Sequence, residues 1–346
     1  MNDYIFPYEK EIVKLRLVTT GYNDRKSEKI VSKDISVSIS NGELVSLIGA
    51  NGCGKSTLMR CIGGLQSVLG GDIQIKGKDV SKMSSMERAR SLSLVLTDQI
   101  EATNLTVYDI VSNGRYPHIG YLGKLSENDW MIIDKSLDIC FLRGWGDRIY
   151  SSLSDGEKQR ALIARALSQD TPLMLLDEPT AHLDLPNRVE MMRMLNELAK
   201  KTGKAILIST HELDLAMHWS DTIWLMNTKG GLIRGIPEDI VLSAKISECF
   251  SNKNIFFDMQ SGNFKSNKEN THLVTIQGEG IRRIWTERAL ERIGFVNSDI
   301  SEGIPIITVF EDNWKLSFNK TEQIYYSLED ILGTLRTDNY WHSILK

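Results

Sequence analysis

The sequence lacks the features of a secreted or membrane-spanning chain. No apolar run approaches the roughly 20 residues of a membrane-spanning helix, and residues 1–14 contain no apolar signal-peptide core. No C-x-x-C spacing occurs among the four cysteines, which are Cys53, Cys61, Cys140 and Cys249. This usage favours a reducing cytosol over a disulfide framework. Any membrane role is therefore expected to depend on a partner.

An excess of charge of one sign is also lacking. The 346 residues include 41 Lys and Arg against 45 Asp and Glu, a formal net charge of −4, and no basic tract stands out. Nucleic acid is therefore not expected as a partner. The length suits one large α/β domain followed by a smaller one.

The most informative stretch present is a glycine-rich loop between a predicted strand and a predicted helix. It has the pattern G-x-x-x-x-G-K-S, follows the apolar segment 43–48 and precedes the segment 58–62. Backbone N–H groups and the helix N-terminus make such a loop an anion site, in contrast to an ordinary glycine turn. Lys55 is expected at the β- and γ-phosphates and Ser56 at Mg²⁺. The expected nucleotide-binding residues of the loop are Gly49, Asn51, Gly52, Cys53, Gly54, Lys55, Ser56 and Thr57.

Polar residues follow three further apolar strands. Strands that alternate with helices predict a largely parallel sheet, whose ligands lie beyond the carboxyl ends of the strands. Gln99, Asp177 with Glu178, and His211 each occur at such an end. Asp177 is expected to organise Mg²⁺, and Glu178 can accept a proton from an attacking water. Taken singly, His211 fits a structural histidine, Gln99 a solvated amide and Tyr22 a packed turn residue.

The segment LSDGE at 153–157 predicts a second helix N-terminus that faces an anion. Ser154 is a good N-cap residue, and Glu157 occupies the capping-box position. Alone, this pattern predicts only a well-capped helix.

Together these motifs resemble the ATP-binding subunits of ABC transporters. The phosphate loop, Gln99, LSDGE, LMLLDEPTAHLD at 173–184 and His211 occur in the family's order, and the match covers about residues 12–250. The resemblance implies a phosphate-loop NTPase core of ABC type, with a mixed sheet, an antiparallel β subdomain and a helical subdomain at about 100–170. We therefore expect an ABC-type ATP-binding domain at 1–250.

The resemblance also implies a head-to-tail homodimer that encloses two ATP molecules with Mg²⁺. Tyr22 resembles the aromatic residue that stacks on adenine. Ser154 and Gly156 would reach the γ-phosphate bound by the other subunit, and Asp184 would lie at the dimer seam.

For hydrolysis, the resemblance implies four side chains. Glu178 would polarise the water, and His211 would steady the γ-phosphate together with Lys55. Gln99 would sense Mg²⁺ and the water and link the site to membrane subunits.

Two departures from the family pattern stand out. Asp155 and Glu157 replace the second Gly and the Gln of LSGGQ, and a carboxylate near a triphosphate is unfavourable unless it points away. Cys53 occupies a loop position that Ser often fills, so its alkylation is expected to block ATP binding.

Residues 251–346 form an expected C-terminal accessory domain, a small α+β unit of unknown role. We predict strands at 272–276, 304–310 and 314–318, and helices at 286–293 and 322–335. A dimer-stabilising or regulatory appendage is the plain interpretation, and a small-ligand sensor is the alternative.

The function expected from the resemblance is ATP-driven import through separate membrane permease subunits. GRYPHIG at 114–120 and the nearby SENDW resemble importers of ferric siderophores, haem and cobalamin, although these residues also suit a surface connection of the helical subdomain. The chain is expected at the cytoplasmic face of the plasma membrane as a peripheral subunit, served indirectly by a substrate-binding protein. The alternative is a soluble ABC-type ATPase, for example in iron–sulfur assembly. The single set of motifs and the absence of a long heptad repeat disfavour ribosome-acting and DNA-repair members.

Overall fold

The computed structural model describes residues 11–24, 27–96, 104–120, 123–250, 255–259, 262–266, 272–299 and 303–336. The chain divides into two compact units: Met1–Asn252 with Phe256–Lys265, and Lys253–Ile255 with Ser266–Lys346.

Two sheets organise the first unit. Its strands are β1 (Glu11–Asp24), β2 (Ser27–Ser40), β3 (Leu44–Gly49), β4 (Gly70–Ile75), β5 (Lys78–Asp79), β6 (Leu92–Val95), β7 (Leu173–Asp177), β8 (Ala205–Ser209), β9 (Thr222–Met226) and β10 (Leu232–Gly235). Its helices are α1 (Lys55–Ile62), α2 (Ser85–Ser91), α3 (Val107–Ser112), α4 (Glu127–Ile139), α5 (Asp155–Ser168), α6 (Leu185–Thr202), α7 (Leu213–Trp219), α8 (Pro237–Leu242) and α9 (Lys245–Phe250). Two short strands follow at the boundary of the units and pair with each other, β11 (Ile255–Asp258) and β12 (Asn263–Ser266).

The central sheet has the strand order β10-β9-β3-β8-β7-β6. Strand β3 runs parallel to β8 and β9, β7 runs parallel to β8 and β6, and only β10 pairs antiparallel. Every residue of β3, β8 and β9 is buried, because helices cover both faces of a parallel sheet. The carboxyl ends of β3, β7 and β8 therefore meet at one edge, and the predicted fold class is confirmed.

The antiparallel sheet has the order β2-β1-β4-β5. The interpretation of Tyr22 as a turn residue is wrong, because Tyr22 follows Gly21 within β1 and pairs with Lys29 of β2. Glycine is needed here for close approach, since a Cβ on Gly21 would lie 2.2 Å from the carbonyl oxygen of Lys29. The dipeptide Asn41-Gly42 is typical of a hairpin turn, but here the turn joins β2 and β3, which belong to two different sheets.

The helical subdomain packs α3 and α4 against α5. The Arg115 guanidinium donates to Asp129 at 2.8 Å and to the Ser168 carbonyl at 2.8 Å, and both ion-pair partners are buried. A Cβ on Gly114 would lie 2.2 Å from the Arg165 carbonyl oxygen. Arg115 thus ties α4 to α5, while Tyr116 remains exposed.

A five-stranded sheet forms the second unit, with the order β14-β13-β15-β16-β17. Its elements are β13 (His272–Gln277), α10 (Gly280–Arg292), β14 (Phe295–Asn297), β15 (Ile306–Val309), β16 (Trp314–Phe318), β17 (Thr321–Tyr325) and α11 (Leu328–Arg336). Strand β13 runs parallel to β14 and β15, and β15, β16 and β17 are antiparallel.

The helix predicted over 322–335 is wrong in its first part. Residues Thr321–Tyr325 form β17, because Asn319 and Lys320 adopt positive φ values of 46° and 65°, as a tight hairpin turn between β16 and β17 requires. The helix begins only after Ser327, whose hydroxyl accepts the backbone N–H of Glu329 at 3.1 Å.

Throughout the described ranges, no helix combines the length and apolar character needed to cross a membrane.

Candidate nucleotide site

The glycine-rich loop connects β3 to α1 at the carboxyl edge of the central sheet. Gly54 caps α1 with a φ of 109°, and a Cβ there would lie 2.4 Å from Cγ1 of Val31. A Cβ on Gly49 would lie 2.5 Å from the carbonyl oxygen of Met226. Both positions therefore require glycine, which lets the loop backbone pass closely under its neighbours.

Lys55 is buried and folds back onto the loop. Its Nζ donates to the carbonyl oxygens of Gly49 at 2.8 Å and Ala50 at 3.4 Å. Burial lowers the pKa of Lys55, while the nearby Cys53, Glu178 and Asp177 side chains act in the opposite direction. A buried ammonium whose described hydrogen-bond acceptors are two carbonyl oxygens favours an additional anion beside it.

A cavity of about 450 Å³ opens above the loop. Its lining residues are Tyr22, Lys29, Ile30, Val31, Asn51, Gly52, Cys53, Gly54, Lys55, Ser56, Thr57, Glu178, His211 and Thr228. The structure therefore brings most of the loop together with Tyr22, Glu178 and His211. The sequence prediction missed Lys29, Ile30, Val31 and Thr228. The first three lie on β2, whose pairing with β1 sets Lys29 opposite Tyr22, and no local sequence signal marks Thr228.

Tyr22 lies at one side of this cavity. Its hydroxyl group and the Thr57 hydroxyl group form a 3.1 Å hydrogen bond, and the side chain is half exposed. An exposed aromatic ring on the wall of a cavity offers a surface on which a flat base can stack.

The neighbouring carboxyl ends of β7 and β8 bring three predicted site residues close together, namely Asp177, Glu178 and His211. The Ser209 hydroxyl donates to the Asp177 carboxylate. The backbone N–H of Glu178 is 3.1 Å from both the carbonyl and the hydroxyl oxygen of Ser209. Glu178 has a φ of 49°, and its Oε1 lies 2.6 Å from Nε2 of His211. This left-handed backbone turns the Glu178 carboxylate into the cavity, next to an imidazole.

The segment LSDGE begins α5, as predicted, with a complete capping box. The Glu157 carboxylate accepts the Ser154 backbone N–H at 2.8 Å, and the Ser154 hydroxyl accepts the Glu157 backbone N–H at 3.4 Å. Asp155 lies 3.8 Å from the Lys158 ammonium. Both substituted carboxylates are therefore held by their own helix.

Five described residues of the predicted site do not line the cavity, and one of them is Gly49 at the end of β3. Ser154 and Gly156 are at the start of α5, and Asp184 caps α6 by accepting the backbone N–H of Asn187 at 3.1 Å. Asp177 lies beside the cavity but not on its wall. Gln99 is outside the described residues.

The fold and this cavity define a class, the phosphate-loop nucleoside triphosphatase with a helical subdomain that carries a second capped helix. Residues 32–181 match the family model described as ABC transporter, and residues 271–336 match the model described as Iron ABC transporter C-terminal domain.

Curated relatives agree with this class. The chain is 34% identical to the petrobactin import ATP-binding protein YclP of Bacillus subtilis, over 69% of this chain and 92% of the relative. It is 35% identical to the petrobactin import ATP-binding protein FpuC of Bacillus anthracis, over 65% of this chain and 82% of the relative. It is 36% identical to the iron(3+)-hydroxamate import ATP-binding protein FhuC of Bacillus subtilis, over 58% of this chain and 73% of the relative.

Solved structures agree as well. The cbiO1 protein of Clostridium perfringens, part of the ABC transporter complex cbiONQ, is 28% identical with a TM-score of 0.61, over 69% of this chain and 94% of that chain. The bacterial ABC transporter cassette MJ0796, whose structure is dimeric, is 25% identical with a TM-score of 0.56, over 65% of this chain and 98% of that chain. The chain belongs to the ABC transporter ATP-binding family, and it is a nucleotide-binding ATPase.

Proposed function

We propose that this protein hydrolyses ATP to drive import of a ferric chelate through separate membrane permease subunits. The observation that carries the proposal is the joint match of an ABC transporter model and an iron transporter C-terminal model on one chain. Relatives named for petrobactin and ferric hydroxamate import support an iron-siderophore cargo. Haem and cobalamin are the other cargoes that the sequence suggests.

ATP enters with its base against Tyr22 and its phosphates along the loop 49–57. Mg²⁺ suits the Ser56 hydroxyl and the Asp177 carboxylate at this edge of the sheet, because it prefers hard oxygen ligands together with waters and phosphate. By resemblance to the family, the Gln99 amide would be a further ligand. When bound, the ion neutralises charge on the β- and γ-phosphates. Lys55 exchanges its two carbonyl partners for phosphate oxygens.

Glu178 orients and deprotonates the attacking water, and His211 holds the γ-phosphate. The 2.6 Å contact between the two side chains supports this assignment, since it fixes a carboxylate and an imidazole side by side on the cavity wall. Gln99 links this end of the site to the membrane partner.

A second copy of the chain completes the site. Ser154 and Gly156 do not line the cavity of their own subunit, and α5 presents an N-terminus that suits an anion. A head-to-tail homodimer places them at the partner's γ-phosphate and Asp184 at the seam. The dimeric cassette among the structural relatives supports this arrangement.

The assembled transporter holds this subunit peripherally, at the cytoplasmic face of the plasma membrane, with a substrate-binding protein delivering the cargo outside.

Two experiments test the proposal. The first is co-purification of the chain with permease subunits from detergent-solubilised membranes. The second compares a gene deletion, complemented with wild type or Glu178→Gln, for growth on ferric siderophore, haem or cobalamin as the limiting nutrient.

Loss of growth on ferric siderophore alone, restored by wild type and not by Glu178→Gln, is expected. Recovery of the chain without any membrane partner, with growth unaffected on all three nutrients, would favour a soluble ABC-type ATPase instead.

A further inference from the structure

Arg188, in the first turn of α6, joins two segments of the candidate site. Its Nε donates to the Leu183 carbonyl oxygen at 2.6 Å, and its Nη1 donates to the Glu212 carboxylate at 2.6 Å. Leu183 directly precedes Asp184, and Glu212 directly follows His211. The guanidinium therefore ties the segment before α6 to the segment before α7.

The Leu183 end of this bridge is a fixed point. The Leu183 side chain is buried in the core of the first unit, and its backbone N–H donates to the Thr180 carbonyl oxygen at 3.3 Å. A Cβ on Gly156 would lie 3.7 Å from Cδ2 of Leu183, so the start of α5 lies against the same side chain. A carbonyl group in such a packed segment gives Arg188 a rigid support.

The Glu212 end supplies a carboxylate that pairs with Arg188. Glu212 is the N-cap residue of α7, yet its side chain does not cap the helix. Its backbone N–H donates to the Thr210 hydroxyl at 3.0 Å, and its carboxylate, which is 20% exposed, receives the Arg188 guanidinium. A charge-assisted hydrogen bond that is partly shielded from water is stronger than a fully exposed pair. Arg188 thus holds the Glu212 side chain to α6.

His211 is the site residue whose position depends on this link. Its side chain is 43% exposed and lies 2.6 Å from Glu178 on the cavity wall. A side chain with so little packing around it takes its position from the backbone on either side. That backbone is buried at Thr210 and is tied through Arg188 at Glu212. A displacement of about 1 Å of a group at the reacting atoms can lower a rate about a hundredfold.

We propose that Arg188 is a positioning residue for ATP hydrolysis, because it holds His211 at the γ-phosphate by fixing Glu212 to the Leu183 carbonyl. Arg188 lies outside the recognised motifs and does not line the cavity. It therefore contributes to the rate of the chemical step and not to nucleotide affinity. This inference rests on the proposed function, in which His211 holds the γ-phosphate.

Phosphate release and calorimetric titration of the full-length protein with Mg²⁺-ATP test this role. Arg188→Met keeps an apolar stem and removes both donors, so kcat is expected to fall about tenfold while the dissociation constant for ATP stays within about twofold. Arg188→Lys keeps the charge without the guanidinium fork and should lose about threefold in kcat. The control Arg193→Met breaks an exposed pair with Glu197 on the same helix and should change neither constant.

A double-variant cycle with His211→Ala separates positioning from a merely structural role. If Arg188 acts through His211, adding Arg188→Met to His211→Ala should lower kcat by less than about twofold more, because the residue that it positions is already absent. Urea unfolding shows whether each variant folds, and Arg188→Lys carries the same cycle if Arg188→Met does not fold.

A further tenfold loss of kcat in the His211→Ala background would overturn the proposal, because Arg188 would then act independently of His211. Unchanged kcat in Arg188→Met, or a dissociation constant that weakens in step with kcat, would also overturn it, and the proposed function would still stand. If His211→Ala itself kept kcat near that of wild type, the proposed role of His211 would be wrong, and the role of Arg188 would fall with it.

Discussion

Replacing Glu178 by Gln tests the proposed role of Glu178 as the general base, because the substitution removes the basic carboxylate and keeps the size and shape of the side chain. The contact at stake is the 2.6 Å approach of Glu178 Oε1 to Nε2 of His211. A glutamine oxygen accepts the same hydrogen bond from a protonated Nε2. The backbone N–H of Glu178 also keeps its 3.1 Å partners on Ser209, since these do not involve the side chain. Folding and nucleotide binding should therefore be retained.

The expected loss lies in the chemical step. A positioned general base contributes a factor of about 10² to 10⁴, so kcat for ATP hydrolysis should fall by at least about a hundredfold. The dissociation constant for ATP should stay within about twofold, because the amide still occupies the same wall of the cavity. Unhydrolysed ATP should also hold two copies together.

The assay combines phosphate release, ATP titration and size-exclusion chromatography on wild type, Glu178→Gln and the control Glu190→Gln. Glu190 forms an ion pair with Arg160 and does not line the cavity, so its substitution should leave kcat within about twofold. If Glu178→Gln retained kcat within about fivefold of wild type, the base would have to be another group, and the assignment would fail.

Three further outcomes follow from buried groups. Arg115→Met should lower the free energy of unfolding of the first unit in urea by about 3 kcal/mol, because it leaves the buried Asp129 carboxylate without its cation. The double variant Arg115→Met with Asp129→Asn should recover much of this loss. An equal loss in the single and the double variant would argue against a coupled pair. Burial lowers the pKa of Lys55 in the free protein, and the phosphate charge of bound ATP should raise that pKa. ATP binding should therefore take up protons at alkaline pH and weaken as the pH rises through the lowered pKa. Calorimetry in buffers of different ionisation enthalpy measures the proton uptake, and uptake that persists in Lys55→Ala would assign the proton to another group. A small alkylating reagent should modify the partly exposed Cys249 before the buried Cys53. Only the modification of Cys53 should abolish ATP binding, because the added group fills part of the cavity. Peptide mass spectrometry follows both sites, and unchanged ATP affinity after complete Cys53 labelling would contradict this steric argument.

The sequence predicted those parts of the site that local spacing determines. The phosphate loop, Asp177 with Glu178, and His211 each follow an apolar strand within one or two residues. Parallel pairing then brings them to the same edge. Lys29 and Thr228 could not be predicted in this way, because they reach the cavity through the pairing of β1 with β2 and through the docking of a turn on β2.

Where the prediction failed, tertiary context changed the meaning of a local signal. Tyr22 fits a packed turn residue when taken alone, yet it lies in a continuous strand that passes close to Lys29 at Gly21. Residues 322–325 contain helix-compatible side chains, but the turn at Asn319 and Lys320 pairs them with β16 instead. A single sequence gives no measure of such pairing energy, which comes from the cross-strand neighbours.

The segment LSDGE at 153–157 holds both of its additional carboxylates within its own helix. A free carboxylate near the γ-phosphate would repel it, and this was the expected cost of Asp155 and Glu157. Instead, the Glu157 carboxylate accepts the Ser154 N–H, and its charge lies at the positive end of α5. The same capping box fixes Ser154, whose hydroxyl proton remains available for donation to an anion while its oxygen accepts from Glu157. The substitution thus replaces one means of holding this helix start by another, and the proposed contact to the partner's nucleotide requires only Ser154 and Gly156.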